Sequence, residues 1–360
     1  MLGIVPRYAV IRGKRCARPL EAYIKSRTFV TSHTTTGLST PRLPIFPVPV
    51  VGQVAPPTRT TNRSMSGTTS GHYESHTADS YESAYFYSAG DYTNYLRDTV
   101  KKALHLPASA STSASTSAST STNNSTYNRR LIDIGGGTGN FTRMILEGVP
   151  NVEGVVIDPF LEASSTDTGS NGGADNIRFV KASAEDFAAT ESTSTGDEWW
   201  KSGYHYILLK EVVHHLPYEC RSDIFRGLRS GLADLDDGHN EGPSLLIVTR
   251  PQTDIDYPLW PAAREVWAAN QPSASDIEAD LRVAGFEHVE SKIQTYPASI
   301  ELDRWLDMVN SRFWSTFSKF NDEELKEACN LIRDEATKSS KVDDGGIVHF
   351  EDRLVFITAR

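Results

Sequence analysis

The 360-residue chain has only three cysteines, Cys16, Cys220 and Cys329, and no Cys-x-x-Cys pair. That excludes a disulfide framework and a cysteine-built zinc site. It has no apolar run near the ~20 residues that a membrane-spanning helix needs, so no span is expected. Positive charge is in deficit: 36 Lys+Arg stand against 46 Asp+Glu, a net charge of −10. An acidic chain is poorly matched to a phosphate backbone, and no nucleic-acid partner is expected.

The few cations are unevenly placed. Residues 1–29 hold seven of them (Arg7, Arg12, Lys14, Arg15, Arg18, Lys25, Arg27) and one acid, Glu21. Met1 to Val30 can be drawn as a basic amphipathic helix, and Ser26-Arg-Thr-Phe-Val30 is similar to a matrix-processing site. Residues 1–30 are therefore expected to be a mitochondrial presequence, with plastid or cytoplasmic location as alternatives. Without residues 1–29 the balance is 29 Lys+Arg to 45 Asp+Glu, or −16. Residues 31–79 are rich in Ser, Thr and Pro, follow no period, and read as a disordered linker. A second low-complexity stretch, 108–126, is almost pure Ala, Ser and Thr and reads as a floppy insert.

What is there is concentrated in Leu131-Ile-Asp-Ile-Gly-Gly-Gly-Thr-Gly-Asn-Phe-Thr142. Apolar residues lead to Asp133, a dense glycine turn follows, and Phe141 onward reads as a helix. Strand, glycine loop and helix together let a backbone approach a ligand closely. The spacing narrows the ligand. The dinucleotide fingerprint G-x-G-x-x-G would need a third glycine at Asn140 or Thr142, and a P-loop would need Gly-Lys-Ser/Thr. What fits is acid-x-Gly-x-Gly-x-Gly: Asp133, Gly135, Gly137, Gly139. An acid at a strand end can hold an ammonium, directly or through water, and loop N–H groups can serve a carboxylate.

This stretch resembles motif I of the class I S-adenosylmethionine (SAM)-dependent methyltransferases, the small-molecule enzymes among them. The resemblance spans residues 80–360. It implies SAM as cofactor, held by Asp133, Gly135, Gly136, Gly137 and Gly139. It also implies a Rossmann-like α/β fold: a seven-stranded sheet with helices on both faces, strand 7 antiparallel, and a helical insertion between strands 6 and 7.

The remaining motifs follow in order. Tyr92, Tyr95, Leu96, Val100, Ala103 and Leu104 mark a helix face after Asp91. In the family such a helix lids the SAM site, which makes Tyr87 and Tyr92 candidate substrate contacts, or else core. Val152 to Asp158 is a second strand ending in an acid, nineteen residues past Gly139, suited to accept both ribose hydroxyls. Residues 162–176 suggest a short or missing helix. Asn176 to Lys181 is the third strand. Ala182-Ser-Ala-Glu-Asp-Phe187 resembles the adenine-contacting loop, with Ser183 where the family usually has an acid; Ser183 or the Ala184 main chain would serve. Tyr204 to Leu216 is the fourth strand and its exit. There Lys210 would present main chain to SAM, and His214 and His215 are the general-base candidates, because imidazole titrates near neutral pH. Adjacent histidines without further ligands do not make a zinc site, and no metal is expected.

Ser222 to Leu232 reads as a helix and Ser244 to Thr249 as the fifth strand. A further helix opens at Ser275-Asp-Ile-Glu278, at capping-box spacing, and stops at Gly285. His288 to Tyr296 and Ile347 to Thr358 read as closing strands. Between them, residues 300–336 suggest two helices, with Leu302, Trp305, Leu306 and Val309 on one and Leu325, Ala328, Leu331 and Ile332 on the other. This segment resembles the family's substrate cover. Arg250 and Arg312 are candidates to clamp a carboxylate as bidentate forks, or form surface ion pairs. Trp260, Trp267 and Trp314 wall a pocket or pack the core. The expected reaction is methyl transfer to a small-molecule hydroxyl, carboxylate or activated carbon. The alternatives are a non-catalytic assembly factor of the same fold and a protein methyltransferase.

Overall fold

In the computed structural model, residues 89–107, 129–161, 176–188, 199–233, 244–338 and 341–360 are described. The basic leader, the linker, the Ala/Ser/Thr insert and Tyr87 lie outside these, as do 162–175 and 189–198.

Seven strands form one sheet: β1 (Arg129–Ile134), β2 (Val152–Ile157), β3 (Ile177–Val180), β4 (Tyr206–Lys210), β5 (Ser244–Thr249), β6 (Val289–Glu301) and β7 (Ile347–Ala359). Their order is β3-β2-β1-β4-β5-β7-β6. β1 to β5 are mutually parallel, and β7 runs antiparallel to both β5 and β6. This is the fold that the resemblance implies.

β1, β2, β4 and β5 are short and mostly buried, as strands covered on both faces must be. Alternate residues face opposite ways, which splits the core in two. Ile132, Ile134, Val155, Ile157, Ile207 and Leu209 pack on α3 (Arg221–Ser230) and α5 (Ala274–Val283). Leu131, Val152, Val156, Leu208 and Leu246 pack on α1 (Ala89–Ala103) and α2 (Asn140–Leu146). The periodic face of α1 is the buried one: Tyr92, Leu96 and Val100, with Leu104 just past its end, are at most 1% exposed.

Three sequence expectations shift. The cap of α5 is Ser273, not Ser275: Ser273 Oγ accepts from the Asp276 N–H at 3.1 Å. Gly285 does end that helix, at φ 101°. A helix not foreseen, α4 (Pro261–Asn270), starts on Pro261 and buries Ala263 and Trp267 at i, i+4 spacing. The insertion contains α6 (Leu302–Asn310) and α7 (Asp322–Lys338). On α7 the buried stripe is Leu325, Ala328, Cys329, Ile332 and Ala336, while Leu331 is 49% exposed.

The register places this insertion. Thr249, the last residue of β5, pairs with Val355. Residues 347–354 of β7 pair only with β6, out to Glu301 opposite Ile347. The β6–β7 ribbon therefore projects roughly 27 Å past the C-terminal edge of β5. α6 begins directly from its tip and folds into a third core with α4 and the residues between β5 and α4.

Candidate functional site

The strand order reverses between β1 and β4, so their exits diverge at a topological switch point, where open α/β sheets hold ligands. Every candidate residue that the structure describes on the exits of β1 to β5 meets this edge.

The glycine loop leaves β1 at Gly135. Gly135, Gly137 and Gly139 have φ of 72°, 54° and 73°, a region that costs other residues strain. Two of the three are also crowded. A β-carbon on Gly135 would overlap Val212 at the β4 exit, and one on Gly139 would come within 2.9 Å of the Phe179 ring. One on Gly136 would lie 2.7 Å from Asp133 Oδ2. Gly137 differs: its β-carbon would meet nothing within 4 Å. The loop is thus packed from below and open along Gly137.

Asp133 lies under this loop, 2% exposed, and accepts a 2.6 Å bond from Thr142 Oγ1 on α2. Burial pushes its carboxyl up to about 6, against the bond from Thr142. The group braces the loop from beneath.

Asp158 follows β2 directly. Its Oδ2 accepts from the Gly137 N–H at 3.1 Å and its Oδ1 from the Phe160 N–H at 2.8 Å. Burial raises its pKa, partly offset by these two bonds. The second strand's acid and the first strand's loop are in direct contact. Phe160 beside it is 48% exposed, an aromatic on the rim that the sequence reading did not single out.

After β3, Ser183 opens a short 3₁₀ turn, Ala184–Phe187. The Ser183 N–H and hydroxyl both donate to Asp186 Oδ2, at 2.7 and 3.3 Å, and Ala184 is buried. Ser183 is at the foreseen edge, with its hydroxyl proton engaged within its own turn.

The β4 exit carries Lys210, whose Nζ lies 5.0 Å from the Phe141 ring centroid. Glu211 follows at φ 59°. It then forms a 3₁₀ turn, Val213–His215. The His214 and His215 rings lie against each other, tilted by 49°, with centroids 3.9 Å apart. His214 Nδ1 is buried and has no partner. Desolvation holds this imidazole well below its ordinary pKa, with His215 and Arg250 adding to the effect, so it is neutral near pH 7. Among the described residues, no group of three or more His, Cys, Asp or Glu is set to hold a metal.

The substrate candidates change most. Arg250, just past β5, is 3% exposed. Its Nη1 donates to Glu211 Oε2 and its Nε to Tyr257 Oη at 2.6 Å. Tyr257 and Tyr92 both donate to Asp352 on β7, which is fully buried. Arg312 instead donates to the Phe320 carbonyl at 3.1 Å and to Asp322. The two guanidinium groups serve separate ion pairs and form no carboxylate clamp. Tyr92 is a core residue, packed edge-on against Tyr296 at 5.0 Å. Trp260, Trp267 and Trp314 belong to the closed aromatic core of the insertion, with Tyr257, Trp305, Phe317 and Phe350. Trp314 still touches the site, its ring centroid 5.8 Å from the Arg250 guanidinium carbon.

The residue that sequence reasoning passed over is Glu211. The only signal was an acid directly after Lys210 at a central strand's end. Its partner could not be read there.

No family model matches the chain, and no curated protein does. Solved structures do. A presumed methyltransferase from an antibiotic biosynthesis pathway of Anabaena variabilis ATCC 29413 is 12% identical, with TM-score 0.49, covering 74% of this chain and 97% of that one. The cyclopropane synthase MmaA2 of Mycobacterium tuberculosis is 15% identical, with TM-score 0.39, covering 74% and 84%. The YcgJ protein of Bacillus subtilis is 16% identical, with TM-score 0.40, covering 64% and 91%. At these identities and scores the likeness adds nothing to the sheet order and loop geometry already described. By its own topology, the chain carries the seven-stranded fold of the class I SAM-dependent methyltransferases.

Proposed function

We propose that the chain binds SAM at the C-terminal ends of β1 and β2 and transfers its methyl group to a small molecule held near the β4 exit. Asp158 carries this reading: its carboxylate closes on the Gly137 N–H, across the one glycine of the loop whose β-carbon direction is open. An acid at that place can exchange its bonds to main-chain N–H groups for two ribose hydroxyls.

The other residues take roles that fit their surroundings. The Gly135–Gly139 main chain cradles the methionine end, and Asp133 with Thr142 keeps the loop in shape. Ser183 and Ala184 border the adenine, and the Lys210 main chain faces the transferred group. SAM, when bound, supplies a methyl carbon made electrophilic by its sulfonium. The chain's part is to align acceptor and methyl carbon and to exclude water, which contributes much of such a rate enhancement. His214, neutral and shielded, is the group that would take a proton from the acceptor. His215 keeps its neighbour's ring in place.

Calorimetric titration of the full chain with SAM and S-adenosylhomocysteine tests the cofactor. Saturable binding that Asp158→Ala weakens supports it, and no binding by folded protein removes it. Binding without turnover on any extract would favour the non-catalytic assembly factor; label in protein would favour a protein acceptor. For the leader we propose mitochondrial import, on its seven basic residues and single acid. Recovery of intact Met1 or Leu2 at the N-terminus of protein from its own cells would count against it.

A further inference from the structure

Two buried polar atoms at the β4 exit have no hydrogen-bond partner: Glu211 Oε1 and His214 Nδ1. They belong to one short loop, on the edge where Val212 meets the glycine loop. Buried polar atoms are nearly always paired, so an orphan at a sheet edge marks a place for something else to bond. Two orphans in one loop strengthen that. Both can act as acceptors. A carboxylate has no proton to give, and a neutral imidazole protonated at Nε2 presents Nδ1 as a lone pair.

The charge around them is equally telling. Arg250 is the buried cation at this edge, and Lys210 is a second positive charge acting on Glu211. Arg250 already faces Glu211 Oε2, and its Nε lies 3.5 Å from Asp352 Oδ1. With Lys210 counted, two carboxylates face two cations, so the cluster has no positive charge in excess to draw an anion. Tyr92 and Tyr257 donate to Asp352 and supply no positive charge. An incoming carboxylate would set its own oxygens against an unpaired Glu211 oxygen and a lone pair, acceptor against acceptor in a buried place. A hydroxyl or amine would satisfy both atoms.

We infer that the methyl acceptor is a hydroxyl or amine whose hydrogens are received by Glu211 Oε1 and His214 Nδ1, and not a carboxylate. The inference rests on the SAM-binding proposal above and names the substrate class of that site. In the step, a lone pair of the acceptor oxygen or nitrogen forms the new bond to the methyl carbon. The carbon–sulfur pair remains on sulfur. The acceptor's proton passes to His214 Nδ1, from which it returns to water after product release. Glu211 holds the acceptor in line and offsets the charge that builds on it.

The test uses the full-length protein, 13C- and 14C-methyl SAM and fractionated small-molecule extract. SAM affinity is measured on every sample first, so failure of the cofactor proposal shows up separately as no binding. With SAM bound, the expected product is methylated on oxygen or nitrogen by its carbon chemical shift and keeps its label through mild alkali. A label released by alkali as methanol would identify a methyl ester and overturn the inference, as would a carbon-methylated product. So would bound SAM with no label transferred from any fraction. Glu211→Gln should raise the acceptor KM at least tenfold with SAM affinity unchanged, and Glu211→Asp should recover part of the loss. If Glu211→Gln does not fold, His214→Leu should lower kcat at least a hundredfold with SAM affinity unchanged. Unchanged acceptor kinetics in whichever variant folds would sink the proposal.

Discussion

Gly135 and Val212 leave no room for a side chain between them: a β-carbon on Gly135 would overlap the valine. The contact joins the exits of β1 and β4 across the reversal in strand order, so it holds the glycine loop against the loop that follows β4.

Gly135→Ala and Gly137→Ala should therefore fail differently. Both impose positive φ on alanine, a cost of about 1–3 kcal/mol. Only the first adds overpacking against Val212, typically about 1–3 kcal/mol more. Thermal unfolding should rank Gly135→Ala as the less stable protein. SAM titration should show Gly137→Ala losing more affinity than its stability loss accounts for, because its methyl group enters the open side of the loop.

Asp158→Ala should weaken SAM binding by ~1.5–3 kcal/mol, the range for lost charge-assisted hydrogen bonds. The fold should survive, since its partners are two main-chain N–H groups at a half-exposed edge. Equal calorimetric affinities for variant and parent would remove Asp158 from the ribose role.

Asp133 should make stability depend on pH in an unusual direction. Its carboxyl rises from 3.8 to about 6 on folding. Between those values the folded state holds a proton that the unfolded state has released, so stability falls as pH rises. The contribution is complete below pH ~4 and lost as pH passes ~6, a loss of ~3 kcal/mol. Asp133→Asn keeps an acceptor for Thr142 and removes the titration. Denaturant unfolding of the two proteins from pH 4 to 7 should show the parent falling relative to the variant. Parallel curves would argue against a buried, titrating Asp133.

Arg250→Leu should cost ~3–5 kcal/mol, because Glu211 and Asp352 would be left as buried carboxylates without their cation. A residue that only clamped substrate would leave stability alone. Chemical denaturation separates the two; a change under ~1 kcal/mol would restore Arg250 as a candidate substrate ligand.

In the insertion, Trp305→Ala should lose about 3–5 kcal/mol and Leu331→Ala less than ~0.5 kcal/mol. Trp305 is fully buried, with Nε1 bonded to the Pro258 carbonyl at 2.9 Å, whereas Leu331 is exposed.

Some of this was visible before folding. β5 was read to the residue as Ser244–Thr249, and the glycine loop with its acid was found whole. Such features depend on a few consecutive residues: apolar continuity, and positions that only glycine can occupy cheaply. The cap at Ser273 was misplaced by two because Ser273 and Ser275 are chemically equal, and only the turn geometry chooses between them. Leu331 misled for a related reason. It matches the helical spacing, but the stripe that meets α6 runs through Cys329, a residue type that a hydrophobic pattern underweights.

The chain alone determined the succession of the seven strands, the glycine loop and the acid nineteen residues beyond it. Local conformational preference dictates these, and it acts over a few residues. Tertiary structure decided which charged groups are spent and which remain. Arg250 meets Glu211, 39 residues away, and Tyr92 meets Asp352, 260 residues away. Those distances close only because β4, β5 and β7 lie side by side in the sheet. Burial then makes every unpaired polar atom costly, and so singles out Glu211 Oε1 and His214 Nδ1, which no spacing in the sequence could distinguish from their neighbours.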